Sequence, residues 1–535
     1  MQTTSVGLGS FGLLVVVAVP AVLLALGGDA DPRPTHDLER GRGLYDRHCS
    51  VCHGGEGRGN GDAAYLLHPA PRNLASGRFR LVSTTNGIPT QADLIETIRR
   101  GMPGSSMPPW GWLAEEDLWS LALYVRELSI EGQVADLLTW AEEQEENLSE
   151  TEAREIVAEK VIPGDSIDTG PPAHDDPVTL ARGRRLFLKT CAACHGADGT
   201  GNAPVNLAGE LKNEDGTPNT ARDFTVGIFK GGSGHKDIVN RILGGLPGSP
   251  MPATSYDDPD DIAALSAFVR SLIKPGAQER VVQSRRTVPV ARTSGPLPTD
   301  PNDPAWSSTD GTWIALAPLW WRDQRVEGII VRALHDGEGI AFRLSWRDMS
   351  NNGDLLGPQS FSDCAAIEIS VERDPPLFAM GATDHPVDIA FWRAAWVADA
   401  VAARGMRDRY PGMVDDDFPE LVGDLLEQSI TARAVGNPQS VATRPQAAEA
   451  LMAQGFGTVG PRPGGAPSSW TADSSWEGGY WDIVFTRSMT AEIEGEPVLS
   501  PGLSAFLAFA IWDGEARDRN GQKSVSVWHR LQVSP

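Results

Sequence analysis

Lysine is scarce in this sequence: 7 residues, against 39 arginines in a chain of 535. Base is also outweighed by acid, and the formal net charge is −25. Such a surface excludes nucleic acid as a partner, because phosphate binding needs a basic face. It suits a chain that stays soluble and steers toward basic partners. Cysteine is scarce too, with five residues. Four of them fall into two Cys-x-x-Cys-His units, which excludes a disulfide scaffold despite the size of the chain. The fifth, Cys364, reads as a small buried hydrophobe at the start of a strand. No Lys or Arg occurs before Arg33, so the basic head of a standard signal peptide is missing. There is no phosphate loop, no Ser-His-Asp set and no carboxylate pair in a catalytic context.

What is present begins with an apolar run, residues 7–28, interrupted by Pro20 and followed by small residues. Two readings fit residues 1–30: a cleaved signal peptide or an uncleaved membrane anchor. Both place the remainder on the extracytoplasmic or periplasmic side.

The chain repeats itself. Arg40-Gly41-Arg42-Gly43-Leu44-Tyr45 returns as Arg182-Gly183-Arg184-Arg185-Leu186-Phe187. Cys49-Ser50-Val51-Cys52-His53 returns as Cys191-Ala192-Ala193-Cys194-His195. The segment from Gly101 to Pro108 returns from Gly245 to Pro252, and Leu121 to Arg126 returns at Leu265 to Arg270. The order is the same and the offset stays at 142 to 144 residues, which marks a tandem duplication. Leu118, Leu121, Ala122 and Val125 share one helical face, as do Ile262, Leu265, Ser266 and Val269. Between the repeats, residues 142–160 read as a solvated acidic helix opened by a Ser149/Glu152 capping box. Residues 163–177 read as a flexible joint. After Lys274 the periodicity becomes two. Ile340, Phe342, Leu344 and Trp346 alternate with other residues, as do Ile367, Ile369 and Val371, and Trp481, Ile483 and Phe485. Several such runs suggest a sandwich. Residues 400–475 read as an irregular insertion.

The expected architecture is therefore two all-α domains, 36–135 and 176–276, separated by an acidic linker at 136–175. A mainly-β sandwich follows at 281–535.

Cys-x-x-Cys-His is the attachment signature of haem c. Cys49 and Cys52, or Cys191 and Cys194, can form thioethers with the two haem vinyl groups, and the adjacent His53 or His195 meets the iron. Structural zinc would need four clustered ligands, whereas these pairs lie 142 residues apart. A thioredoxin-like site would need a βαβ context. For the sixth iron ligand the first repeat offers Met102 and Met107. Met102 aligns with Leu246 and Met107 with Met251, which selects Met107 and Met251. Arg72 and Arg222 also correspond, and a guanidinium fork suits a haem propionate. Both halves resemble class I cytochromes c of the small bacterial type, over residues 36–130 and 176–275.

From residue 275 onward there are more than twenty arginines and a single lysine, Lys523. Arginine keeps its proton in proteins, whereas a buried lysine can lose it and offer a lone pair. Phe378 to Gly381, His385 to Ile389 and Phe391 to Arg393, with Ala510 to Gly514 and Gly521 to Trp528, resemble the ethylbenzene dehydrogenase γ-subunit family. The resemblance implies a non-covalent haem b held by Met380 and Lys523. It also implies service to a molybdenum enzyme of the dimethyl sulfoxide reductase superfamily, with catalytic and iron–sulfur subunits as partners and a soluble or membrane carrier as the other electron party. The fused cytochrome domains and the insertion depart from that family's simple pattern. The segment Asp303 to Trp306 also occurs in related sugar-binding sandwiches. A haem-free binding module is thus the alternative for the third domain, and a stand-alone haem oxidoreductase the alternative for the whole chain.

Overall fold

The computed structural model describes residues 37–322, 324–353, 359–377, 380–401, 411–412, 447–461, 469–491 and 496–535. The apolar run at 7–28 and the helix-like piece at 421–428 lie outside them. Among the described residues no helix is long and apolar enough to cross a membrane.

The first repeat contains α1 (Leu38–His48), α2 (Ser50–His53), α3 (Gln91–Arg100) and α4 (Glu115–Glu143). A capping box, Thr90 with Asp93, starts α3. Its apolar stripe, Leu94, Ile95 and Ile98, packs with Tyr45 and with Leu118, Leu121, Ala122 and Val125 of α4. Gly41 is where α1 crosses α4: a Cβ there would sit 2.1 Å from the Ser120 carbonyl oxygen, so only glycine allows the approach. The second repeat reproduces this crossing. Gly183 of α6 (Pro177–Thr190) lies against Ala264 of α10 (Pro259–Ser271), where a Cβ would again sit 2.1 Å from a carbonyl oxygen. Between them stand α7 (Ala192–His195), α8 (Pro204–Leu207) and α9 (His235–Leu243). The serine in the second repeat's apolar stripe, Ser266, is fully buried and meets His235 Nδ1 at 3.1 Å.

The linker differs from expectation in two ways. The capping box at Ser149 does start a helix, α5 (Glu150–Lys160). That helix is not simply solvated, because Ala153 and Val157 pack onto Val134 of the long α4. The segment that follows is pinned rather than loose: Thr85 N donates to Asp165 O and Ile167 N to Ser83 O, at 2.9 and 2.8 Å. Backbone pairing outweighs the joint-like composition.

After α11 (Ala277–Val281) the chain is rich in strands. In chain order they are β1 (Thr287–Arg292), β2 (Thr312–Ala315), β3 (Ala317–Pro318), β4 (Gly328–His335), β5 (Gly339–Arg347), β6 (Cys364–Ser370) and β7 (Val387–Arg393). A helix, α12 (Ala394–Val401), precedes β8 (Ala448–Ala453), β9 (Gly460–Pro461), β10 (Thr471–Glu477), β11 (Tyr480–Ser488), β12 (Ser504–Trp512), β13 (Ser524–Val525) and β14 (His529–Val533). Among the described residues 14 strands form one mixed sheet, with the order β10-β11-β5-β4-β1-β14-β12-β6-β7-β8-β9 and with β2, β3 and β13 on side branches. β1 is parallel to β4 and β14. Cys364 is buried at the start of β6, as expected.

Trp392 of β7 lies 5.0 Å from Trp481 of β11 and 6.4 Å from Trp346 of β5. These rings come from distant parts of the strand order, so the sheet curls until its two halves share one core. The expected insertion at 400–475 is corrected at its ends: β8, β9 and part of β10 lie within it and belong to the sheet. Pro and Gly punctuate that stretch heavily enough to hide short strands.

Candidate functional sites

The two Cys-x-x-Cys-His segments fold alike. Each begins at the C-cap of a long helix and continues into a single turn, α2 or α7. His53 N donates to Cys49 O at 2.9 Å and His195 N to Cys191 O at 3.0 Å, so both cysteines and the histidine lie on one short coil. All four thiols are free. Burial pushes Cys49 up to about 12, and Cys52 and Cys191 up to about 11. A redox thiol needs the opposite shift. Zinc fails as well. Among the described residues the one group of three or more potential ligands is an aspartate cluster far along the chain.

Each histidine is held in the orientation an iron ligand requires. His53 Nδ1 lies 2.9 Å from the carbonyl oxygen of Arg72, which can only accept. The ring proton is therefore on Nδ1, and Nε2 keeps its lone pair. His195 Nδ1 faces the carbonyl of Arg222 at a longer 3.5 Å, and its ring stacks on Phe224 at 4.5 Å. Burial lowers both histidines' pKa and favours the neutral ring. Arg72 and Arg222 thus contribute through their backbone, a role side-chain reasoning missed.

The methionine turns are superposable in their bonding. Met102 N donates to Met107 O at 3.0 Å and Leu246 N to Met251 O at 3.1 Å. Ser105 Oγ donates to Met102 O and Ser249 Oγ to Leu246 O, at 2.6 and 2.7 Å. The sequence alignment of Met107 with Met251 is therefore also the structural one. Met251 lines an apolar cavity together with Cys191, Cys194 and His195. Met107 lines a smaller cavity where its turn meets Trp321 and Arg325 of the strand-rich region.

The charge around the Met251 cavity fits a dianionic group such as a haem. Arg222, Lys230 and Arg241 line it, and so does Arg80 from the first repeat. Arg80 Nη2 donates to Asn213 Oδ1 at 2.7 Å, while Nε of both Arg80 and Arg241 is buried without an acceptor. Burial depresses Arg80 and Arg241 to about 10, and burial with Arg222, Arg80 and Arg72 depresses Lys230. Arg222 itself donates to Gly104 O in the first methionine turn and lies 5.0 Å from the Trp321 ring. Buried cations gathered at an apolar cavity call for carboxylates, and two propionates would supply them.

The third candidate lies on the outer face of the sheet. Along β6, Ala365, Ile367 and Ile369 enter the main core. Ala366 and Glu368 therefore point the other way. That outer face is apolar: Val387, Ile389, Phe506, Ala508 and Trp528, with Met380 and Trp512 against them. Lys523 is 9% exposed and its Nζ lies 4.8 Å from the Trp512 ring. Glu368, also 9% exposed, receives the backbone N–H of Met380 and leaves Oε1 without a partner. Burial lowers Lys523 to about 8 against the pull of Glu368, and raises Glu368 to about 8 against the pull of Lys523. Met380 holds φ at 90°, a region that costs a non-glycine residue on the order of 1–3 kcal/mol. Glu368 thus bonds Met380 and feels the charge of Lys523, the two residues expected to bind haem b. Sequence reasoning missed it, since one acid within an alternating strand signals only an outward face.

The alternation of Val525 and Val527 against Ser524 and Ser526 was expected to aim Lys523 inward, and Lys523 is buried. Ser524 and Ser526 are fully buried as well; Ser526 Oγ accepts from Phe509 N at 2.9 Å, which offsets the desolvation of that hydroxyl.

Contacts join this outer face to the first repeat. His48, next to Cys49, lies 5.8 Å from Trp112. Arg285 sits 3.8 Å over Trp112 and 5.2 Å from Phe506.

Residues 303–524 match the family model Ethylbenzene dehydrogenase. Residues 36–125 match Cytochrome C oxidase, cbb3-type, subunit III, and residues 180–272 match Cytochrome c. A respiratory nitrate reductase heme subunit assigned in Haloferax mediterranei is 26% identical over 245 residues, covering 44% of this chain and 69% of that one. Chlorate reductase subunit gamma of Ideonella dechloratans is 23% identical, covering 48% and 88%. Dimethylsulfide dehydrogenase subunit gamma of Rhodovulum sulfidophilum is 25% identical, covering 48% and 84%.

Proposed function

We infer that this chain, in which two cytochrome c domains precede an ethylbenzene dehydrogenase-family domain, is the multi-haem electron-transfer subunit of a respiratory oxidoreductase. We place its partners among molybdenum catalytic and iron–sulfur subunits outside the cytoplasm, as the γ-subunit relatives suggest. The domain limits 36–135, 176–276 and 281–535, and the sandwich layering of the last, belong to this reading.

The observation that carries it is the second repeat's cavity, where Cys191, Cys194, His195 and Met251 come together, with a first repeat that folds its Cys-x-x-Cys-His and methionine turns alike and reaches the Met380–Lys523 face through His48, Trp112, Arg285 and Phe506. Haem at each site supplies reversible one-electron chemistry at iron. The chain's own residues do the rest. Cys49, Cys52, Cys191 and Cys194 would tether two haem c groups, with His53 and Met107, and His195 and Met251, as the residues that would hold the iron. Met380 and Lys523 would hold one haem b. Two protein ligands at each site would leave no iron open to a substrate. The full chain should therefore undergo reduction and reoxidation of all its haems with no spectral change on adding carbon monoxide. A carbon monoxide shift in a major fraction of the haem would favour the stand-alone oxidoreductase. Co-purification of molybdenum with a tagged chain from its native host tests the partner.

Two further outcomes follow. Met107→Ala should remove a methionine–iron charge-transfer band and lower one midpoint potential, because thioether ligation raises it. Met102→Ala should do neither, and spectroelectrochemistry reads the difference. Arg80→Gln removes a buried cation from the first domain, yet should lower the potential of the haem in the second. A cation beside the haem disfavours the oxidised form, so its loss stabilises that form. An unchanged potential at the His195 haem would place Arg80 outside that haem's field.

A further inference from the structure

A second constellation lies apart from all three haem sites. Asp348 directly follows β5, Asp363 directly precedes β6, and Asp513 directly follows β12. The curl of the sheet brings these strand ends together. One oxygen from each carboxylate lies within 4.8 Å of the others. Asp348 is 7% exposed, Asp363 fully buried and Asp513 half-buried. None of the three makes an ion pair among the described residues.

The hydrogen bonds show which oxygens are served and which are not. Asp363 accepts from Gly514 N at 2.8 Å, Asn352 N at 2.7 Å and Trp481 Nε1 at 3.0 Å. Three donors on two oxygens favour the ionised carboxylate, which can only accept. Asp348 Oδ1 accepts from Ser350 N and Oγ, both at 3.0 Å. Its second oxygen, Oδ2, is buried with no donor at full hydrogen-bond distance; the Trp346 indole approaches the carboxylate without closing a bond. A buried anionic oxygen without a donor, beside two further carboxylates, requires either a proton or a cation.

We propose that Asp348, Asp363 and Asp513 hold one divalent cation of the hard, oxygen-seeking kind, calcium above magnesium. Every potential ligand atom nearby is oxygen, which excludes the softer metals. Ser350 Oγ and Asn352 Oδ1, 2.8 Å apart, add neutral oxygens beside the carboxylates. Asp348, Ser350 and Asn352, followed by Gly353, place oxygen side chains at alternate positions before a glycine, as in the first half of a calcium-binding loop. Magnesium prefers to keep several waters, which a buried set of this kind leaves little room for. The ion would tie β5 to β6 and β12 at the end where the two halves of the sheet meet. This site does not depend on the haem assignments.

The test uses the purified full chain with its haems in place. It is stripped with a chelator, desalted and dialysed against radioactive calcium with and without magnesium. The expected result is saturation at one calcium per chain, unaffected by equimolar magnesium, and a higher unfolding temperature when calcium is present. Asp513→Asn should weaken binding at least tenfold while the haem absorbance per chain stays constant. Asp363→Asn should abolish binding. Should that buried variant fail to fold, the half-buried Asp513→Asn still decides. Absence of saturable binding by the stripped wild type, or wild-type affinity in Asp513→Asn, overturns the site. Equal competition by magnesium overturns the choice of calcium.

Discussion

Lys523→Arg should abolish low-spin haem b in the full chain while leaving the covalent haems intact. Arginine keeps the positive charge and most of the length, so a surface role for Lys523 would survive the exchange. Iron ligation would not survive it, because the guanidinium holds its proton in proteins and offers no lone pair. Lys523 is prepared for the opposite state. It is 9% exposed, and burial brings it down to about 8 from 10.5. At about 1.4 kcal/mol per unit, burial lowers the cost of the neutral amine by roughly 3 kcal/mol. Glu368 works against this by favouring the charged form. The sign of the pH dependence follows. The neutral fraction rises as pH rises through about 8 and falls about tenfold per unit below it. Haem loading of the third domain should therefore strengthen from pH 6 to pH 8. The measurement is extraction with acidified solvent, which releases non-covalent haem only, followed by a pyridine spectrum of extract and residue. Wild-type levels of extracted haem with an unchanged low-spin spectrum in Lys523→Arg would refute the ligand assignment. A wild-type chain that yields no extractable haem would make the third domain a haem-free binding module.

The second large effect is loss of one covalent haem, and one alone, in a Cys191→Ala/Cys194→Ala chain. Both thiols lie on the turn that ends at His195, and both line the Met251 cavity. Without them nothing covalent holds that haem. The first site is built from separate elements, with its own cysteines, its own histidine anchor at Arg72 O and its own methionine turn. Haem-stained denaturing gels should show half the wild-type signal per chain, and the matching Cys49→Ala/Cys52→Ala chain should behave likewise. Full signal after either double exchange would mean that the covalent attachment lies elsewhere.

The two Cys-x-x-Cys-His turns were legible in the sequence because each is local. Cys49, Cys52 and His53 span little more than one helical turn, and the backbone bond from His53 N to Cys49 O realises that spacing. Duplication added a second legible signal. The alignment of Met102 with Leu246 rejected one methionine, and the two turns prove to carry the same hydrogen bonds. Local signals also marked the capping box at Ser149, the buried Cys364 and the alternation in β5. They misled where a local pattern met a neighbour. Residues 163–177 look like a joint, but Asp165 and Ile167 pair with the backbone of Thr85 and Ser83.

By itself, then, the sequence determined the two cytochrome c repeats, the change from helix to strand near residue 275, and the singular position of Lys523. Each depends on residues close in the chain or on a repeat that can be counted. Only the tertiary structure decided which charges face which cavity. Arg80 reaches the Met251 cavity from the other repeat, and Glu368 meets Met380 and Lys523 on one face of β6. Asp348, Asp363 and Asp513 converge from three strand ends separated by up to 165 residues. Electrostatic interaction depends on distance through space and on burial. Neither can be read from separation along the chain until the sheet has curled and the domains have packed.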